Sequence, residues 1–407
     1  MRKIIVALIT CVAALAGIGL IFVASASSVR AAQTYGDSHF FLKRQLVWMA
    51  FAVLLGFLAT RFDYHRWVKQ RWLQWALLMV VIVGLLAVFV PGIGIRSHGS
   101  NRWVGAGSAR FQPSELAKLA TVILMAAWMS SIGWRVRTFV RGFLIPIGVL
   151  GGVLALLLKE PDFGATLVTA VAGIGLMFVA GARIFYVVGA GFLGCLGFLV
   201  MILRDPVRGE RMMIYVVKAF GKTSFVTEQL AGFLGKSVDQ VLLDVATSDK
   251  KHQVEQSCLA FINGGEWGVG LNNSMQKHYY LPEAHTDFIY AIAGEEWGLV
   301  VTLGILLAFG GILVCGMLIA TRAPDRLGRL IAFGLTLLLV FQAFFNIGVV
   351  TDCLPTKGLA LPFISYGGSN LITAFAAVGI LINIGMHIQE PDEHVRAQLY
   401  DSDLEES

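Results

Sequence analysis

Ten long apolar runs divide this 407-residue chain, at roughly 4–24, 46–60, 73–91, 114–131, 142–158, 163–182, 184–203, 285–320, 330–350 and 367–388. A helix rising about 1.5 Å per residue needs about 20 residues to cross the hydrocarbon of a bilayer, and most of these runs have that length. Soluble domains carry about 25% charged residues. Here charged residues make up 14% and hydrophobic ones 57%, so water cannot be the solvent for most of the surface. The expectation is an all-α polytopic membrane protein with ten transmembrane helices and a large extracytoplasmic loop, 204–282, between helices 7 and 8. The 45 glycines suit close helix approach in lipid. The eighth run is too long for one crossing and starts with acids, which puts its first turns in the outer half of the protein rather than in lipid. The first run, with Arg2 and Lys3 before it and Ala24-Ser25-Ala26 after it, has features of a secretory signal. Its 21 apolar residues are longer than a usual signal core, and further spans follow.

Orientation follows from the distribution of basic residues. With the N-terminus in the cytoplasm, the short inner segments hold 13 Lys and Arg, or 14 with Arg396, and the short outer segments hold eight. Both termini are then cytoplasmic. Several outer basic residues run against the rule, as expected if they meet a ligand. Residues 389–407 contain seven acids and one arginine and read as a disordered cytoplasmic tail. The remainder, 1–388, carries 31 basic and 19 acidic residues, a balance suited to anionic headgroups and phosphates. Nucleic acid is a poor partner, because the basic residues are dispersed between spans. One or two helices are expected near 225–245. The five cysteines include no C-x-x-C pair, which argues against a metal or redox site; Cys258 and Cys353 are the pair that a shared outer face would bring within reach of a disulfide.

Four outer stretches carry chemistry, and each has a plain structural reading beside it. Gly99–Gly105 with Phe111-Gln112-Pro113-Ser114-Glu115 and Lys118 reads either as a capped helix with a Glu115–Lys118 ion pair, or as a place where Arg102 or Lys118 grips phosphate. Lys159-Glu160-Pro161-Asp162-Phe163-Gly164 is a tight turn with more ionisable groups than a turn needs. Tyr280–Phe288 brings Asp287 to the head of an apolar helix, as a cap or as a buried group with a function, and Glu295 and Glu296 follow, with bundle ion pairing as their simpler role. Thr356–Ser369, with Lys357, Ser365, Tyr366 and Ser369, is either a re-entrant turn or an irregular wall of hydroxyls and amides for a pyrophosphate or sugar. Together they place acids, bases and hydroxyls on one membrane face, around a cavity for an anionic, lipid-anchored substrate.

Four of these motifs resemble the signatures of the shape, elongation, division and sporulation family of FtsW, RodA and SpoVE. They are Phe111-Gln112-Pro113-Ser114-Glu115, Pro161-Asp162-Phe163-Gly164, Leu281–Ile289 with Gly294-Glu295-Glu296, and Pro362–Ser369. Order and spacing agree over roughly residues 15–388. Asn273–Lys277, Gly36-Asp37 and Arg44-Gln45 are similar to the division branch. The resemblance implies ten membrane helices and a peptidoglycan glycosyltransferase that polymerises lipid II, the undecaprenyl-pyrophosphate-linked disaccharide-pentapeptide. It implies a class B penicillin-binding transpeptidase and other divisome membrane proteins as partners, and the inner membrane at the septum as the location. Asp287 falls on the family's essential aspartate. One departure stands out: where relatives usually have Gly-Tyr-Gln before Gln-Ser, this chain reads His252-Gln253-Val254-Glu255-Gln256-Ser257, and 222–250 is longer than usual.

On this reading Asp287 is the general base. Arg102, Lys118 and Lys357 steady the pyrophosphate, and Glu115, Asp162, Ser365, Tyr366 and Ser369 line the substrate. A divalent cation could share the charge, although the sequence shows no metal cage. The rival functions are a lipid II flippase, an elongation-type polymerase and a non-catalytic scaffold. A flippase calls for ionisable residues near mid-membrane, whereas most charges here lie at the outer edge.

Overall fold

A computed structural model describes residues 1–97, 100–106, 109–204, 249–278, 281–355 and 358–388, with scattered positions between 217 and 240. Each of the ten apolar runs coincides with a helix. In chain order the helices are α1 (Arg2–Tyr35), α2 (Phe40–Arg61), the single turn α3 (Arg66–Lys69), α4 (Arg71–Ala87), α5 (Pro113–Ser131), α6 (Ile145–Lys159), α7 (Phe163–Val179), α8 (Ile184–Arg204), α9 (Asp249–Gly264), α10 (Ile289–Arg322), α11 (Arg326–Val350) and α12 (Gly368–Met386). A π-turn, Val140–Leu144, leads directly into α6. Six of these helical segments are long and apolar enough to cross a membrane, and three more are apolar but shorter. The protein is thus a helical multi-pass membrane protein.

The helices start where the sequence supplies caps. Pro113 occupies the first turn of α5, where its missing N–H costs nothing. Asp162 caps α7 by accepting from Ala165 N at 3.2 Å. Asp325 caps α11 by accepting from Leu327 N at 2.9 Å and Gly328 N at 3.1 Å. Helices α10 and α11 pack together in the middle, with α1 and α9 against α10, α5 and α7 against α11, and α2 along α12. The outer faces of α2 and α4 expose large apolar side chains such as Phe51, Leu54, Trp72 and Trp75. Lipid solvates such a face, and every backbone group there is bonded within its own helix.

Two features depart from plain helices. Three short strands, β1 (Gly94–Ser97), β2 (Ser100–Ala106) and β3 (Ala109–Phe111), form an antiparallel sheet in the order β1-β2-β3. It lies outside the apolar runs, where neighbouring strands rather than a helix satisfy the backbone. Helix α10 is broken at Gly298, whose φ of 70° no helix accommodates. The segment after α9 crosses this break: Val269 N donates to Glu295 O at 3.0 Å and Gly270 N to Glu296 O at 2.9 Å. A β-carbon on Gly298 would lie 2.4 Å from Glu266 O, so the crossing needs glycine. The overlong eighth run is therefore two helical pieces, the first of them buried within the protein. The expected helices near 225–245, Lys357 and the acidic tail lie outside the described residues. All five cysteines are free thiols.

Candidate active site at one end of the bundle

The turn 281–288 is held by its backbone. Three consecutive carbonyls accept from other segments: His285 O from Tyr366 N at 3.0 Å, Thr286 O from Ser365 Oγ at 2.6 Å, and Asp287 O from Asn346 Nδ2 at 2.8 Å. Asn346 Nδ2 also reaches Leu359 O at 2.6 Å. Ser365 Oγ accepts from Leu361 N at 2.8 Å, and its carbonyl takes Gln45 Nε2 at 3.3 Å. The Leu281–Phe288 and Pro362–Ser369 motifs are thus one construction, fixed from below by α11 and from the side by α2. Glu283 and Phe363, with φ of 56° and 66°, hold left-handed conformations uncommon outside glycine. Such backbone persists where surrounding bonds impose it.

Asp287 does not cap α10; the N-cap position is Phe288, and no side chain closes that cap. The Asp287 side chain is half-buried, and its carboxylate lies so close to Gly358 that a β-carbon there would come within 2.5 Å of Oδ2. Around it, burial pushes the His285 imidazole down to about 4, which keeps it neutral at pH 7. Burial raises the Tyr366 hydroxyl, against the opposing positive fields of Arg44 and Arg110. Tyr366 packs edge-on to Phe41 at 5.1 Å. Arg30 pairs with Glu283 at 3.5 Å on the same rim.

Several residues expected to touch substrate face inward instead. Lys118 is 1% exposed, and its ammonium donates to Glu115 Oε1 at 2.9 Å and Gln342 Oε1 at 2.6 Å. Gln342 in turn bonds Ala360 O at 2.8 Å and Asn370 Oδ1 at 3.0 Å. A charge inside the bundle must be paired, so this lysine goes to Glu115 rather than to a phosphate. Asp162, beyond its cap, accepts from Ser114 Oγ at 2.9 Å and Gln112 Nε2 at 3.0 Å. Ser369 Oγ accepts from Gln112 N at 2.9 Å. These residues, with Ser365, build the walls behind the site.

Arg102, on β2, is half-exposed and donates to the carbonyls of Glu160 at 3.4 Å and Pro161 at 2.6 Å, which ties the sheet to the α6–α7 turn. Beside it the carboxyl of Glu160 is fully buried, and burial with the neighbouring Asp162 charge raises it to about 8 despite Arg102. Glu295 and Glu296 belong to the break in α10. Glu295 accepts from Ser274 Oγ and from the N–H groups of Met275 at 3.1 Å and Gln276 at 3.3 Å. Glu296 takes Lys277 at 3.1 Å and Ser25 Oγ at 2.5 Å. Their simpler reading, pairing within the bundle, is the observed one.

The described carboxylates at this end do not assemble a metal cage: Glu283 is taken by Arg30 and Thr286, Asp162 is saturated and Glu160 is sealed.

A family model described as a cell cycle protein, FtsW/RodA/SpoVE, matches residues 6–390. The chain belongs to this family. Among curated relatives, a protein of Geobacter sulfurreducens named probable peptidoglycan glycosyltransferase FtsW is 39% identical over 92% of this chain and 93% of its own length. Another of that name, from Hahella chejuensis, is 41% identical over 91% of this chain and 87% of its own. Stage V sporulation protein E of Bacillus subtilis is 38% identical over 91% and 93%. Among solved structures, a chain from a peptidoglycan synthase complex that coordinates polymerization and crosslinking superposes with a TM-score of 0.67, at 26% identity, covering 94% of this chain and 98% of that one. The rod shape determining protein RodA of Thermus thermophilus shares the fold at a TM-score of 0.61, with 24% identity over 94% and 97%.

Within this FtsW/RodA/SpoVE chain, the motifs alone did not reveal Asn346 and Gln342. A signal was present: they are the amide side chains of the 330–350 run, spaced i, i+4 on one helix face.

Proposed function

We propose that the protein is a division-type peptidoglycan glycosyltransferase that joins lipid II units into glycan strands outside the cytoplasmic membrane. The observation that carries this is the anchoring of Asp287: three successive carbonyls fix its backbone, while its carboxylate stays half-exposed at the rim. Other acids of the same end, Glu115, Asp162, Glu295 and Glu296, are buried. The names of the relatives support the activity, and the FtsW-named ones support the division branch.

The chemistry follows from the site. The 4-hydroxyl of an acceptor GlcNAc attacks the anomeric carbon of the MurNAc that ends the growing strand. Its proton passes to the Asp287 carboxylate as the new C–O bond forms. The anomeric C–O bond to phosphate breaks, and its electron pair leaves with undecaprenyl pyrophosphate. Displacement at one face converts an α-linked donor into a β-linked polymer. The developing pyrophosphate charge meets the guanidinium groups of Arg44 and Arg110, with Arg102 holding the sheet beside them and Lys357 near in sequence to Gly358. The septal location, cytoplasmic termini and a class B penicillin-binding transpeptidase partner belong to the same reading.

The test is polymerisation of labelled lipid II, followed on a gel, by the purified protein with its transpeptidase. Asp287→Asn should lower the rate by about 10²–10⁴-fold. Full activity in that variant ends the base assignment. Transfer of lipid II across vesicles without polymer formation would favour the flippase instead.

A further inference from the structure

A second cluster lies at the opposite end of the bundle, where the α2–α3 turn meets the start of α11 and the end of α12. Asp63, His65 and His387 each offer one ligand atom, all within 4.8 Å of one another. Asp63 Oδ1 lies 2.6 Å from His65 Nδ1 and 4.0 Å from His387 Nε2.

Asp63 Oδ1 accepts from His65 N at 3.0 Å, and its 2.6 Å contact with His65 Nδ1 is a hydrogen bond that a metal ion would replace. His387 Nδ1 donates to Asn383 O at 2.8 Å, which leaves Nε2 as the ring atom that faces the Asp63 oxygen. In its neutral Nδ1–H form His387 offers the Nε2 lone pair that a metal ion takes. His65 Nε2 lies 3.5 Å from Asp325 Oδ1, an outer carboxylate of the kind that orients a ligating imidazole. Asp325 is itself fixed by Tyr64 and by its capping bonds to α11. The nearby cations are turned elsewhere: Arg326 donates to Ala180 O at 2.6 Å, and Arg61 and Arg66 lie over the rings of Phe57 and Phe62.

We propose that Asp63, His65 and His387 form a tetrahedral site for a divalent transition metal of the zinc class, with one open position, clasping the α2–α3 turn to the end of α12. Bonds of about 2.0–2.1 Å place tetrahedral ligand atoms about 3.3 Å apart, so the wider gap closes and the narrower one opens by about 0.7 Å each. Two imidazoles and one carboxylate suit zinc over magnesium or calcium, which prefer oxygen sets. The site lies at the far end of the helix, α12, whose start carries the Pro362–Ser369 motif, so metal there stabilises the frame of the active end without entering it.

The experiment uses the full chain, tag removed, in detergent after chelator dialysis. Titration with ZnCl₂ should show one equivalent bound and a rise in thermal midpoint, and Co²⁺ should give the intense visible bands of tetrahedral coordination. His65→Asn with His387→Asn should abolish both. Sub-stoichiometric binding, a weak octahedral cobalt spectrum in the wild type, or an unchanged shift in the double variant overturns the proposal. The cobalt spectrum of the wild type decides the matter even if the variant fails to fold.

Discussion

Asn346 holds Asp287 by its backbone rather than by its carboxylate: Nδ2 donates to Asp287 O at 2.8 Å and to Leu359 O at 2.6 Å. One amide thereby ties the turn that presents Asp287, the proposed base, to the stretch of chain that faces it. A displacement of about 1 Å at a reacting group can cost about 100-fold in rate. Asn346→Ala is therefore expected to lower kcat by about 10- to 100-fold with KM little changed, measured by steady-state polymerisation. A rise in KM at constant kcat would show that the amide serves substrate binding instead.

Gly358 gives the carboxylate room. A β-carbon there would stand 2.5 Å from Asp287 Oδ2, the movable end of a side chain rather than backbone. Gly358→Ala should fold normally and swing the carboxylate away. The expected result is an unchanged thermal midpoint with at least about 10-fold less polymer, since catalysis depends on position. Equal activity would mean that the carboxylate does not work from its observed place.

Lys118 and Glu115 form a buried pair, 1% and 7% exposed, between α5 and α11. Removing one partner leaves an uncompensated charge and costs about 3–5 kcal/mol; removing both costs far less. Lys118→Met should lower the thermal midpoint sharply, and Lys118→Met with Glu115→Gln should recover most of the loss. Retained stability with lost lipid II binding in Lys118→Met would return the lysine to the substrate.

Glu160 makes stability depend on pH. Its folded carboxyl is raised to about 8 from an ordinary 4.5, so between these values the folded state holds a proton that the unfolded state has lost. Stability from this group is present below pH 4.5, falls as pH rises toward 8 and is gone above it. Glu160→Gln keeps the neutral form at every pH. Thermal midpoints measured from pH 5 to 9 should fall less steeply in the variant, with the two curves furthest apart at pH 8 and above; parallel curves would refute the assignment.

The membrane architecture was legible in the sequence because the period and length of apolar runs are dictated by the bilayer. Asp287 stood out in the sequence because a carboxylate at the head of such a run is costly without a role. The inward turn of Lys118 was not settled by sequence, since i, i+3 spacing to Glu115 fits both a surface pair and a buried one, and the choice rests on Gln342, which is 224 residues away. The strands β1, β2 and β3 were missed because short, glycine-containing polar segments read as loop. The Asp63–His65–His387 cluster joins residues more than 300 positions apart, a pairing that only the packing of α2 against α12 creates.

The break in α10 was legible only in part: Glu295 and Glu296 just before Gly298 set the first turns apart, but one glycine in a membrane helix is ordinary and does not mark the breaking point. The structure gives Gly298 two burdens, a φ of 70° and a β-position 2.4 Å from Glu266 O. A left-handed conformation alone costs a non-glycine residue about 1–3 kcal/mol, and the backbone clash adds to it. Gly304, in the same helix, has nothing within 4 Å of its β-position. Gly298→Ala should therefore lower the thermal midpoint and raise hydrogen exchange across 264–278, the segment that crosses the break. Gly304→Ala should leave both unchanged or stabilise slightly, because alanine is the better helix former by about 0.5–1 kcal/mol. Equal behaviour of the two variants would mean that α10 runs straight through residue 298.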